Sequence, residues 1–317
     1  MITGVGELLP GAFLYLGGSM RYSVMYKLAE MYFRLQPKRS EAEYDALLTQ
    51  QRQKPEKPVL PPRAMGARRE AYPDGSLFFF NETGDAPFMI LYCHGGSYVH
   101  DFSFFHWRFL KTLMARTGAT VVAPGYRLSP YGTWEDAFRL ILPCYVRFAR
   151  EHPERKLILM GDSAGGGLAA ALALEIDRLG VRAPDELILL SPWMDVTVSD
   201  PDIDPFVRKD PWLTPALRVC GRWWAGQPDV MDPHVSPLFG PVEHLDHVTV
   251  FAGTREILNP DSVKLFQRLD PTGDNELIVG EGMFHVYPLL PIPEAGPAVD
   301  RIVEKIIRRR EERHGTV

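Results

Sequence analysis

From residue 77 onward, short apolar runs alternate with longer segments of helical periodicity. Leu77–Phe80, Phe88–Cys93, Ala119–Ala123, Lys156–Met160, Glu186–Leu190, His247–Phe251 and Glu276–Val279 are almost wholly apolar, which predicts strands buried on both faces. Helices are predicted between them, over about 103–116, 133–151, from Ala164 to about Leu179, then 260–269 and 296–312. Strands alternating with helices imply an α/β fold, with a mostly parallel central sheet flanked by helices. Ligands of such sheets bind beyond the carboxyl ends of the strands.

Two regions break the rhythm. Residues from about 198 to 240 hold prolines, Trp212, Trp223 and Trp224 but no strand pattern. Near the N-terminus, Val24, Leu28, Met31 and Leu35 fall at helical spacing with Lys27, Glu30 and Arg34 between them. That pattern predicts a helix over 22–35 packed on a domain; a sharper alternative is a helix that covers a site or rests on a lipid surface. Residues 51–63 carry four prolines among charges and read as a linker. The division this suggests is an N-terminal helical piece with its linker over 1–60 and a main domain over 61–317.

Composition narrows the function classes. The net charge of −5 gives no basic surface for nucleic acid. Cys93, Cys144 and Cys220 are widely spaced and odd in number, so they read as buried thiols of a reducing compartment. Glu243-His244-Leu245-Asp246-His247 lacks companion ligands, so a solvated loop is expected there and no metal site. No run of about 20 apolar residues suggests a membrane span. Leu8–Leu16 is apolar, but it lacks a basic leader and is interrupted by Pro10 and Gly11, so a cytoplasmic location is expected.

The chemistry concentrates at Gly161-Asp162-Ser163-Ala164-Gly165, where an apolar run enters and an Ala-rich segment leaves. This layout matches the nucleophile elbow, a strand-to-helix turn that projects a serine from the top of a sheet. Gly161 and Gly165 fit because a side chain at either would collide as the chain reverses. A serine hydroxyl needs a base to take its proton. In this architecture the partners follow in the order Ser, acid, His, and Glu256 and His285 each fall in a loop after a strand. Asp261 competes with Glu256 but suits the first turn of the following helix. His94-Gly95-Gly96 directly follows the strand ending at Cys93. The amides of Gly95 and Gly96, with that of Ala164, are the expected donors to an oxyanion. His94 is expected to order that loop, with Asp162 as a second supporting residue.

His94-Gly95-Gly96, Gly161-Asp162-Ser163-Ala164-Gly165-Gly166 and Gly282-Met283-Phe284-His285 resemble three signatures of the hormone-sensitive-lipase-like (bacterial family IV) α/β-hydrolases. Tyr126-Arg127-Leu128-Ser129-Pro130 and Ser191-Pro192-Trp193-Met194-Asp195 are similar to its further structural motifs. The resemblance covers about 70–310. It implies a serine carboxylesterase acting on short to medium acyl esters without a cofactor, and a helical cap built from the N-terminal helices and an insertion near 198–225. It also admits a homodimer, with the oligomeric state left open. The usual acid of that family is Asp, whereas Glu256 stands here.

Phe13, Tyr15, Phe206, Trp212, Trp223 and Trp224 are candidates to line an apolar pocket. Two other readings compete with an esterase. An interfacial lipase would rest its N-terminal helix on a membrane. A non-catalytic small-molecule receptor on the same fold would be expected to have lost the serine or the histidine, and this chain keeps both.

Overall fold

The computed structural model describes residues 12–16, 22–83, 86–226 and 229–314, without the side chains of 12–16 and 309–314. The chain runs β1 (Ala12–Leu16), α1 (Val24–Arg34), α2 (Glu41–Arg52), β2 (Arg68–Tyr72), β3 (Gly75–Phe80) and β4 (Phe88–Cys93). It continues with α3 (Phe104–Thr117), β5 (Thr120–Tyr126), α4 (Trp134–Glu151), β6 (Lys156–Asp162), α5 (Ala164–Arg178) and β7 (Glu186–Leu190). The last part holds α6 (Asp204–Val207), α7 (Arg218–Ala225), β8 (Val248–Gly253), α8 (Asn259–Arg268), β9 (Glu276–Gly280) and α9 (Gly296–His314).

The strands form one sheet in the order β1-β9-β8-β7-β6-β4-β5-β3-β2, parallel except where β3 meets β2 and β5. Side chains alternate between its two faces. Leu157, Leu159, Leu187 and Leu189 enter one core with α4, α5 and α8. Ile158, Met160, Ile188 and Leu190 enter the other with α1, α3 and α9. Both faces are thus covered, and the central apolar runs are buried throughout, as their composition predicts.

Three elements lie outside the predicted pattern. Residues 12–16 pair in parallel with β9, so the stretch 1–60 contributes a strand to the main sheet as well as helices. β2 is an edge strand with mostly exposed side chains, and α2 buries only Leu48. The segment near 198–225 is helical where regular, and it meets the N-terminal helices. Trp223 Nε1 on α7 donates to Asp45 Oδ1 of α2 at 2.8 Å, and Phe33 of α1 stacks on Trp212 with centroids 4.2 Å apart.

Candidate active site

Ser163 sits between β6 and α5 at φ +52° and ψ −123°, a conformation that costs a non-glycine residue energy. The turn is held tightly. A Cβ on Gly161 would stand 2.1 Å from the Gly165 carbonyl oxygen, and one on Gly165 would stand 2.2 Å from that of Cys93. Ser163 N–H donates to Leu190 O at 2.9 Å, which ties the elbow to β7.

β9 and β8 deliver the two partners. His285 Nδ1–H donates to Glu256 Oε2 at 2.7 Å, which leaves Nε2 to accept the Ser163 hydroxyl at 2.8 Å. All three side chains are buried. The remaining oxygen of Glu256 accepts Gly253 N–H at 2.6 Å and the Ser191 hydroxyl at 3.0 Å, so the carboxylate is satisfied in one orientation. Ser191 also accepts Val286 N–H at 3.0 Å, joining the acid to the histidine loop.

Asp261 opens α8, as its capping position suggests, and its carboxylate accepts Asp195 N–H at 3.2 Å. Burial, reinforced by the Asp195 charge, pushes it up to about 8. The structure therefore brings Glu256, and not Asp261, to His285.

The loop after β4 differs from expectation by one residue. Gly95 N–H donates to Asp162 Oδ1 at 2.9 Å, so this amide is engaged and cannot serve an oxyanion. Glycine is needed at 95 for space, because a Cβ would stand 2.3 Å from Asp162 Oδ2. Gly96 and Ser97 follow at φ +121° and +58° and line the cavity in front of Ser163. Among the described residues neither of their N–H groups has a protein acceptor.

The loop rests on a buried polar cluster. Asp162 also accepts the Tyr92 hydroxyl at 2.6 Å and lies 3.4 Å from His106 Nε2. Burial alone would raise its carboxyl, but His106, Tyr92 and Gly95 outweigh burial and hold it below the ordinary value. His94 Nδ1–H donates to Gly95 O at 2.7 Å, and its ring stacks on Tyr126 at 4.5 Å. Burial lowers His94 to about 4, so it stands neutral in this loop.

A cavity of about 470 Å³ opens in front of Ser163 and His285, with Tyr32, Phe33, Phe105, Trp212 and Leu289 among its walls. Of the aromatic candidates, Trp212 lies there, its ring edge-on to His285 at 5.6 Å. Trp224 is fully buried and stacks on Tyr98 at 4.2 Å, so it belongs to the core. Trp223 faces Asp45, and Phe206 packs against the main core. The side chains of Phe13 and Tyr15 lie outside the described residues.

Sequence reasoning also missed Asp210. Its buried carboxylate accepts the N–H groups of Trp212 and Leu213 at 2.8 Å each and of Ile257 at 3.0 Å. It thereby fixes both the tryptophan against His285 and the residue after Glu256. An acid two positions before the tryptophan was its only signal.

A mostly parallel sheet that carries a serine on a strained elbow, with a histidine and a carboxylate arriving from later strand ends, is the layout of an α/β-hydrolase fold. Residues 90–289 match the family described as alpha/beta hydrolase fold, and the chain belongs to that family. A triacylglycerol lipase of Mycobacterium tuberculosis is 32% identical over 181 residues, covering 54% of this chain and 35% of that protein. An esterase of Acinetobacter venetianus is 29% identical over 185 residues, covering 57% and 61% respectively. The chain thus spans less than two thirds of the length of these relatives.

Solved structures match more fully. A Staphylococcus aureus structure superposes with a TM-score of 0.77 at 28% identity, covering 87% of this chain and 96% of that one. An esterase from the bacterial hormone-sensitive lipase family gives 0.74 at 24% identity, covering 92% and 100%, a likeness of fold.

Proposed function

We propose that this protein is a serine carboxylesterase that hydrolyses short- to medium-chain acyl esters through Ser163, His285 and Glu256. The observation that carries the reading is the unbroken hydrogen-bond relay from Glu256 through His285 to Ser163, ending on a cavity whose walls include Phe33, Phe105, Trp212 and Leu289. The esterase and lipase names of the relatives favour the same chemistry.

The reaction follows from the geometry. Ser163 Oγ attacks the ester carbonyl carbon while His285 Nε2 takes its proton, and the carbonyl oxygen becomes an oxyanion. The N–H groups of Gly96 and Ser97, with that of Ala164 at the N-terminus of α5, are the donors assigned to it, in place of Gly95. The intermediate collapses, the C–O bond to the alcohol breaks, and His285 returns the proton to the leaving oxygen. Water, deprotonated by His285, then attacks the acyl-enzyme and releases the acid and Ser163. Glu256 holds the tautomer and stabilises the imidazolium in both halves.

In this reading α1, α2 and the 198–225 segment form a cap over a main domain, since Trp223 of α7 bonds Asp45 of α2 and Trp212 stacks on Phe33 of α1 at the cavity wall. A series of p-nitrophenyl esters from acetate to palmitate, run on the wild type and Ser163→Ala, tests the assignment. Turnover of short esters that vanishes in the variant is expected. No turnover of any ester by the folded wild type would overturn it.

A further inference from the structure

α1 is apolar on both sides. Its inward face is anchored: Tyr26 is fully buried, donates to Gly282 O at 2.6 Å and accepts from Arg255 Nη1 at 2.7 Å, while Phe33 stacks on Trp212. Ser23, its N-cap, is held by both oxygens of Glu294. The opposite face carries Val24, Leu28, Met31 and Leu35, which fall on one stripe at the helical repeat. They are open to solvent, with Val24 72% and Leu35 75% exposed. Scattered exposed apolar residues are ordinary, but a continuous stripe on a fixed helix is not.

Two further observations say what would cover this stripe. One flank of the stripe approaches the cavity, because Tyr32, 55% exposed on the same helix, is among the cavity walls. Phe105 of α3 lines it too, and its neighbour Phe104 is 70% exposed. The local charge is opposite to that of the whole chain. Residues 22–39 carry Lys27, Arg34, Lys38 and Arg39 against Glu30 alone, in a protein of net charge −5. An apolar stripe with Lys27 and Arg34 beside it on the same helix suits an interface of acyl chains beneath anionic headgroups.

We infer that the outer face of α1 docks on an anionic lipid surface, with the cavity mouth turned toward it so that esters dissolved in lipid reach Ser163. The delivery of esters rests on the esterase reading, whereas the docking does not. A second copy of this chain is the competing occupant.

The test is co-sedimentation of the full-length chain with phosphatidylcholine vesicles, with and without about a third of phosphatidylglycerol. A companion variant replaces Leu28, Met31 and Leu35 by serine. The wild type is expected to sediment with the mixed vesicles, and to be released by salt. The variant should partition at least about tenfold more weakly, since three buried side chains are removed from the lipid contact. It should hydrolyse p-nitrophenyl butyrate, present as monomers, at the wild-type rate. Lys27→Glu should weaken binding to the mixed vesicles alone.

Equal sedimentation of the wild type and the triple variant, or none by either, would overturn the docking. So would light scattering that shows a wild-type dimer and a monomeric variant, because the stripe would then face a second chain. Because binding is read without turnover, an inactive protein that still sediments would sink the esterase reading and leave the docking standing.

Discussion

The carboxylate of Asp210 accepts the N–H of Ile257 at 3.0 Å, one peptide beyond Glu256. Its other oxygen holds Trp212 and Leu213, so one buried acid links the wall of the cavity to the acid of the relay. Asp210→Ala would leave three N–H groups without an acceptor, and those of Leu213 and Ile257 are buried, each costing roughly 1–3 kcal/mol. The expected outcome is a loss of several kcal/mol in urea unfolding. Asp210→Asn retains acceptor capacity on one oxygen and should lose less. In that milder variant the rate on p-nitrophenyl butyrate should fall about tenfold as Trp212 and the Glu256 loop loosen.

Glu256 and Asp261 can be separated by a pair of isosteric changes. Glu256→Gln keeps the shape but no longer holds the His285 tautomer, and kcat should fall by about 10³–10⁴. Asp261→Asn, whose carboxylate bonds Asp195 N–H and not His285, should keep kcat within about threefold of the wild type. The reverse pattern in steady-state kinetics would move the acid role to Asp261.

These partners were readable in the sequence because their chemistry fixes their spacing along the chain. Central strands buried on both faces must be apolar, and Glu256 and His285 had to follow strand ends for a relay to close. Elements that lean on little burial were not readable. Arg68–Tyr72 is an edge strand with a polar surface, and α2 shows one buried position, Leu48, so neither carries a strong periodic signal. Trp223 and Trp224 are adjacent in sequence, yet the turn of α7 sends one toward Asp45 and the other onto Tyr98. Only neighbours from distant parts of the chain decide which of them is core. The proposed one-residue shift of the oxyanion donors from Gly95 to Gly96 and Ser97 has the same origin, since the hydrogen bond to Asp162 claims the first amide.

That shift has a kinetic consequence. A Cβ on Gly96 would stand 2.3 Å from His100 O, at a φ of +121° that side chains avoid. Gly96→Ala should therefore displace the loop and lower kcat by about 10²–10³, the usual loss for one oxyanion donor. Ser97→Gly keeps the N–H and eases the φ of +58°, so its kcat should stay near that of the wild type. A large loss in Ser97→Gly would assign the role to the Ser97 side chain instead.

Asp261 also makes stability depend on pH. Burial first, then the Asp195 charge, raises its carboxyl from 3.8 to about 8. Between those values the folded protein keeps a proton that the unfolded chain has released. The folded state binds more protons, so this group removes stability as pH rises through that window, by up to about 1.4 kcal/mol per pH unit. Above about 8 both states are ionised and the slope ends. Asp261→Asn can still accept Asp195 N–H but carries no charge to desolvate. Urea unfolding at pH 5 and pH 8 should show the variant gaining on the wild type at the higher pH. A stability difference that stays constant between the two would mean that Asp261 is ionised in the fold throughout.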